Sequence, residues 1–313
     1  MQQVPVYIFT GFLESGKTTF IIDTLRDPGF SEGEKTLVVV CEEGETEYED
    51  DMLEETNSVV EYVDDPETLS HDFFVGLQKK HKPAQVIIEY NGTWPMATLL
   101  DLEPPEEWIV AEILSTVDGS NFDLYVANMR SMLLDQFSQS DVLIFNRCDD
   151  MTPKSTYKRY VKANNRKLRI IFENKDGSID SKIEEELPFD INADLIRIKD
   201  DDFAIWYIDA MDNPQNYAGK IVSFKGMVFK NKKMGTTEFV PGRHVMTCCE
   251  DDIAFFGFLC KCPDNTGIKV KSWVKVEAEI KIEFVKEYHG EGPVLYARKI
   301  EECKAPKETL LYF

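Results

Sequence analysis

Residues 11–18 read GFLESGKT, and Gly11, Gly16, Lys17 and Thr18 satisfy the pattern G-x-x-x-x-G-K-[ST]. The stretch follows an apolar run, VPVYIFT, and leads into KTTFIIDTLRD, whose apolar residues recur at helical spacing. A glycine-rich turn between a buried strand and a helix suits few purposes other than cradling phosphate. Glycines let successive N–H groups converge on phosphate oxygens, and the new helix directs its positive end at them. In that frame Lys17 supplies a point charge for β- and γ-phosphates, the Thr18 hydroxyl is a ligand for Mg²⁺, and Glu14, Ser15 and Thr19 complete the cradle.

The rest of the first 200 residues extends the same theme. KTLVVVC, AQVIIEY, EWIVAEILSTVD, DVLIFN and KLRIIFE are runs rich in Val and Ile without alternating polarity, separated by helical patterns. Such runs suit strands buried on both faces, so the expected fold is α/β, a doubly wound, mostly parallel sheet. After about residue 215 the texture changes to strand-like runs, such as GKIVSFKGMVF and SWVKVEAEIKIEFV, separated by turns such as PDNTG and HGEGP. Five short strands with glycine turns suggest a small all-β, OB-like barrel. The expected division is 1–200 for the nucleotide-binding domain, 201–216 for a linker helix and turn, and 217–313 for the barrel.

A nucleotide fold must also select its base. FNRCDD places Asn146, Arg147 and Asp149 in the pattern N-[K/R]-x-D, directly after the run DVLIF. The Asp149 carboxylate can accept from N1–H and the 2-amino group of guanine, a donor pair that adenine lacks. Asn146 would brace the phosphate loop and the Arg147 stem would cover the base, so GTP is expected rather than ATP. IIEYNG adds Glu89 and Gly92: an acidic residue facing Mg²⁺ and the attacking water, and a backbone N–H for the γ-phosphate that can switch between GTP and GDP states. Asp118, in STVDGSNF, fits a strand-ending turn as well as a functional role.

These motifs together resemble the CobW/HypB/UreG group of P-loop GTPases, the CobW-like branch in particular, over roughly residues 4–195. The resemblance implies GTP hydrolysis with Mg²⁺, slow turnover, a metallochaperone role toward a client metalloprotein, zinc or another transition metal as a further cofactor, and a homodimer through the GTPase domain. CEEGETEYED matches imperfectly the Asn-Glu-aromatic-Gly stretch of that group, with Cys41 at the Asn position. Glu42 therefore inherits the role expected in the Mg²⁺ and switch region. Lys17, Glu42 and Glu89 are the expected catalytic set, and Thr18, Glu42 and Glu89 the Mg²⁺ ligands. The Cys-x-Cys-Cys motif usual in CobW-like proteins is missing, because VVEYVDDPETLSHDFF contains no cysteine.

Five of the seven cysteines fall at or after residue 248. GRHVMTCCEDDIAFFGFLCKC gathers His244, Cys248, Cys249, Cys260 and Cys262, candidate ligands for a soft metal. The same residues suit buried packing thiols, and adjacent cysteines on a strand point to opposite faces. From about residue 217 to the end the chain resembles the C-terminal domain of YcgQ-like proteins, companions of predicted membrane permeases. That implies a permease system as a partner.

Charge sets further bounds. With 57 Asp+Glu against 35 Lys+Arg, the net charge of -22 would repel nucleic-acid phosphate, so no nucleic-acid partner is expected. No apolar run is long enough to span a membrane, MQQVPVYIFT lacks a basic leader, and a cytoplasmic location is expected. The leading expectation is a GTPase coupled to metal or cofactor homeostasis. The alternative is a non-catalytic, GTP-dependent adaptor or switch whose barrel grips a protein partner.

Overall fold

The computed structural model describes residues 3–31, 33–180, 187–232, 234–246, 253–263 and 267–312. Contacts divide the chain into two units, residues 1–154 with 167–183, and residues 155–166 with 184–313.

The first unit is built on β1 (Val4–Thr10), β2 (Thr36–Val40), β3 (Ser58–Tyr62), β4 (Gln85–Glu89), β5 (Trp108–Asp118), β6 (Val142–Cys148), β7 (Arg169–Asn174) and β8 (Ile179–Asp180). Their order in the sheet is β3-β2-β4-β1-β5-β6-β7-β8, parallel throughout except for the antiparallel β7–β8 hairpin. Helices are α1 (Lys17–Arg26), α2 (Pro28–Ser31), α3 (Asp50–Glu55), α4 (His71–His81), α5 (Met96–Leu100), α6 (Phe122–Asn128) and α7 (Arg130–Gln139). Alternation along β1 explains the two layers. Val4, Val6 and Ile8 pack with Phe74 and Leu77 of α4 and with Met96 and Leu99 of α5. Phe9 packs with Ile21 and Leu25 of α1 and Met52 of α3. Because both faces are covered, β2 and β4 are buried at every position, which is why their sequences show no polar alternation. The strand order reverses beside β1, so the loops after β1, β4, β5 and β6 meet at the carboxyl edge, where α/β sheets bind ligands.

The second unit contains α8 (Lys154–Asn164) from Ser155 onward, then α9 (Phe203–Asp212) and β9 (Ile196–Arg197) through β16: β10 (Ile221–Phe229), β11 (Glu238–Met246), β12 (Ile253–Gly257), β13 (Cys260–Lys261), β14 (Trp273–Val285), β15 (Gly290–Glu302) and β16 (Leu310–Tyr312). β12 and β13 keep one register against β11 (Gly242↔Gly257 and Phe239↔Cys260), so they form one interrupted strand. Pairings run β10–β11–β13–β15–β14 and return to β10, with β13–β15 parallel and the others antiparallel. Two of these strands, β14 and β15, are 13 residues long rather than short.

Residues 201–216, expected as a linker helix and turn, form α9 and a 3₁₀ turn (Pro214–Tyr217), and these bury Phe203, Trp206 and Tyr217 among Phe224, Phe258, Ile280 and Leu295. The reason is legible in FAIWYIDAM: a helix apolar around most of its circumference must be enclosed.

A candidate nucleotide site at the carboxyl edge of the parallel sheet

The loop after β1 turns through two glycines in conformations that side chains rarely adopt. Gly11 has φ +147°, and a Cβ there would lie 2.5 Å from Ser15 Oγ and from the Thr116 carbonyl oxygen. Gly16 has φ +95° and caps α1; a Cβ there would lie 2.5 Å from Asn146 Nδ2. The loop is cross-braced from the sheet. Ser15 and Thr116 hydroxyls share a 2.8 Å hydrogen bond, and Asn146 Nδ2 donates to the Ser15 carbonyl at 2.7 Å. Asn146 Oδ1 is buried with no protein partner among the described residues.

Lys17 is 4% exposed, at the first turn of α1. Its ammonium donates to the Gly11 and Phe12 carbonyls (2.8 and 3.1 Å) and to Glu42 Oε2 (2.7 Å). Thr18 Oγ1 donates to Glu89 Oε1 and the Tyr48 hydroxyl to Glu89 Oε2, each at 2.6 Å. Glu89 is 1% exposed; burial raises its pKa, against the lowering effect of these two hydroxyls and Lys17. Burial and the nearby Glu89 likewise push the Tyr48 hydroxyl upward. Thr19 and Gly44 line the same small space as Thr18, Glu42 and Glu89. Hydroxyl and carboxylate oxygens of this kind are hard donors, which suit Mg²⁺. Gly92 lies against the loop: a Cβ there would fall 2.2 Å from the Gly11 carbonyl oxygen.

On the other side stands the segment after β6. Arg147, at φ +53°, donates through one terminal nitrogen to the Glu14 carbonyl (2.8 Å) and to Asp118 Oδ2 (3.0 Å). Asp149 is half-buried and pairs with Lys175 at 2.6 Å, which holds its carboxyl below the usual range. A cavity of about 280 Å³ opens between Gly16, Thr19, Asn146, Arg147, Asn174 and Lys175.

Strand, glycine loop, lysine, acidic strand end and N-R-x-D segment thus share one edge. Residues 5–172 match the family model described as CobW/HypB/UreG, nucleotide-binding domain. The chain belongs to the CobW/HypB/UreG family. Residues 173–313 match the DUF1980 C-terminal domain. The UPF0703 protein YcgQ of Bacillus subtilis (strain 168) is 21% identical over 117 residues, 37% of this chain and 41% of YcgQ, so the chain spans about two-fifths of that relative. Among solved structures, Zn(II)-bound YjiA GTPase from E. coli is 18% identical at a TM-score of 0.45, covering 73% of this chain and 74% of that one. HypB from Helicobacter pylori in complex with nickel is 16% identical at a TM-score of 0.39, covering 55% and 80%.

The soft-metal candidates are a different matter in this CobW/HypB/UreG member. Cys248 and Cys249 lie outside the described residues. Cys260 is fully buried opposite Phe239 on β11, and burial pushes its thiol far up. His244 is exposed, five residues further along β11, with its ring edge-on to Phe255. Odd and even strand positions face oppositely, and five residues span roughly 17 Å, so His244 and Cys260 do not share an ion. Cys262 is half-buried against the core. Among the described residues no group of three or more His, Cys, Asp or Glu could hold a metal.

Four contributors escaped the sequence reading: Tyr48, Thr116, Asn174 and Lys175. Tyr48 carried a faint signal, as an aromatic in an acidic run ahead of a helix. Lys175, in the turn NKDG, carried none.

Proposed function

We propose that the chain binds GTP and hydrolyses it slowly with Mg²⁺. The observation that carries this is the convergence of Lys17, Thr18, Glu42 and Glu89 at the mouth of a loop braced by Asn146. In this reading Gly11 to Thr19 cradle the phosphates, and an incoming phosphate competes with Glu42 for the Lys17 ammonium. Thr18, Glu42 and Glu89 would hold Mg²⁺, which when bound neutralises charge on the β- and γ-phosphates. Glu89 orients the attacking water, Gly92 N–H reports the γ-phosphate, and Asn146, Arg147 and Asp149 read guanine, with Asp149 exchanging Lys175 for the base.

The second unit is proposed as an OB-like barrel, supported by strand pairings that return to β10 and by the parallel β13–β15 pair. Coupling of the GTP cycle to metal or cofactor homeostasis through a client metalloprotein is supported by family membership, and a membrane permease as partner rests on the likeness of the C-terminal residues to YcgQ. No helix among the described residues is long and apolar enough to cross a membrane.

Steady-state turnover tests the reading. GTP should be hydrolysed in a Mg²⁺-dependent way and preferred to ATP by about 10²-fold, since an unpaired carboxylate opposite the wrong base is costly. Lys17→Ala should abolish turnover. Full activity in that variant removes the phosphate-loop assignment, while nucleotide binding without turnover in the parent chain favours the adaptor reading.

A further inference from the structure

Asp118 ends β5 beside Asn146 of β6 and is 6% exposed. Its Oδ1 accepts from the Ser120 N–H (2.9 Å) and Ser120 Oγ (2.6 Å), and its Oδ2 from Asn121 Nδ2 (3.1 Å) and Arg147 (3.0 Å). Three of these four donors belong to its own turn, so the carboxylate is satisfied and oriented before Arg147 arrives. Arg147 is different: its side chain is 46% exposed, and its backbone sits in the left-handed region that favours glycine. An exposed arginine in an unfavourable backbone conformation needs external anchors, and it has two, Asp118 and the Glu14 carbonyl. Dependence therefore runs from Asp118 to Arg147.

We infer that Asp118 is a positioning residue for guanine-nucleotide recognition, holding the Arg147 guanidinium against the phosphate loop so that the Arg147 stem covers the base. This rests on the proposed role of Asn146, Arg147 and Asp149 at the base. The set also spans the site: Glu14, whose carbonyl Arg147 grips, receives the Glu45 N–H on its carboxylate at 3.0 Å. Burial works against ionisation of Asp118, yet the Ser120 and Arg147 hydrogen bonds outweigh it and keep the carboxyl below its ordinary range.

The test uses the full chain and a fluorescent GDP analogue in EDTA, which separates base and loop contacts from Mg²⁺ ligation. Asp118→Asn keeps the size and loses the charge. It should weaken binding about 5-fold, through faster release, because a half-exposed charge-assisted bond is lost. Its turnover at saturating GTP should stay within about 2-fold of the parent, since the effect is on binding rather than on the chemical step. Arg147→Met keeps a covering stem and should lose at least as much affinity. The double variant should bind no worse than Arg147→Met alone, because Asp118 acts through the guanidinium. Unchanged affinity in Asp118→Asn, or losses that multiply in the double variant, overturn the inference. Should Asp118→Asn fail to fold, parental affinity in Arg147→Met overturns it alone. Absence of any GTP preference over ATP in the parent chain would instead defeat the base-reading assignment itself.

Discussion

Replacing Gly92 by alanine puts the loop–sheet contact under direct test. The added Cβ would lie 2.2 Å from the Gly11 carbonyl oxygen, 2.4 Å from its carbonyl carbon and 2.9 Å from the Phe12 nitrogen. All three atoms are backbone, so no rotamer change relieves the clash. Gly92 cannot easily retreat, because its carbonyl accepts from the buried Gln136 Nε2 at 2.7 Å. Gly11 is confined in turn by Ser15 and Thr116. Ordinary van der Waals separation requires the phosphate loop to move by about 1 Å. Overpacking of that kind costs about 1–3 kcal/mol, which for a unit of this size lowers the melting temperature by roughly 5 °C. A displacement of about 1 Å in a phosphate-positioning loop can lower turnover by about 10²-fold. Thermal denaturation, with and without GDP, and steady-state GTP turnover read the two effects. A Gly92→Ala protein with parental melting temperature and turnover would refute the contact and, with it, the placement of Gly92 beside the phosphates.

Two further residues carry predictions. Asp149→Asn exchanges a pair of acceptors for one acceptor and one donor and should shift preference from guanine toward xanthine nucleotides in a displacement assay; unaltered selectivity would remove Asp149 from the base site. Burial pushes the Cys41 thiol up to about 12, with Glu89 and Glu42 adding to it, from an ordinary value of 9.0. A folded-state value above the unfolded one stabilises fully below pH 9 and is lost as the pH rises toward 12, by at most about 1.4 kcal/mol per pH unit. Cys41→Ala should therefore flatten the alkaline limb of stability against pH, and native Cys41 should resist alkylation at pH 8 until the protein is unfolded. Rapid native alkylation would contradict its burial.

Much of the first unit was legible from its residues because its signals are contiguous. A strand, a two-glycine turn and a helix are specified within about 25 residues, and continuous Val/Ile runs report burial on both faces wherever they occur. The cysteines were harder to read. Sequence places His244 and Cys260 sixteen positions apart and suggests proximity, whereas strand pairing sets them on opposite faces of one hairpin. The apolar helix at 203–212 looked like a connection because its neighbours are polar, and only packing against Phe224 and Phe258 reveals it as core.

The sequence by itself determined the phosphate loop, the parallel α/β plan around it, the absence of a cysteine triplet in the nucleotide-binding unit, and the acidic balance. All of these follow from backbone freedom, periodicity and composition, which are local or additive. Tertiary structure alone decided who holds whom: Glu42 on Lys17, Tyr48 and Thr18 on Glu89, Asn146 on Ser15, Asp118 and Glu14 on Arg147. These partners stand 25 to 133 positions apart. Their hydrogen bonds exist only because β1, β2, β4, β5 and β6 end at the same edge of one sheet, and no local pattern records which strand ends become neighbours.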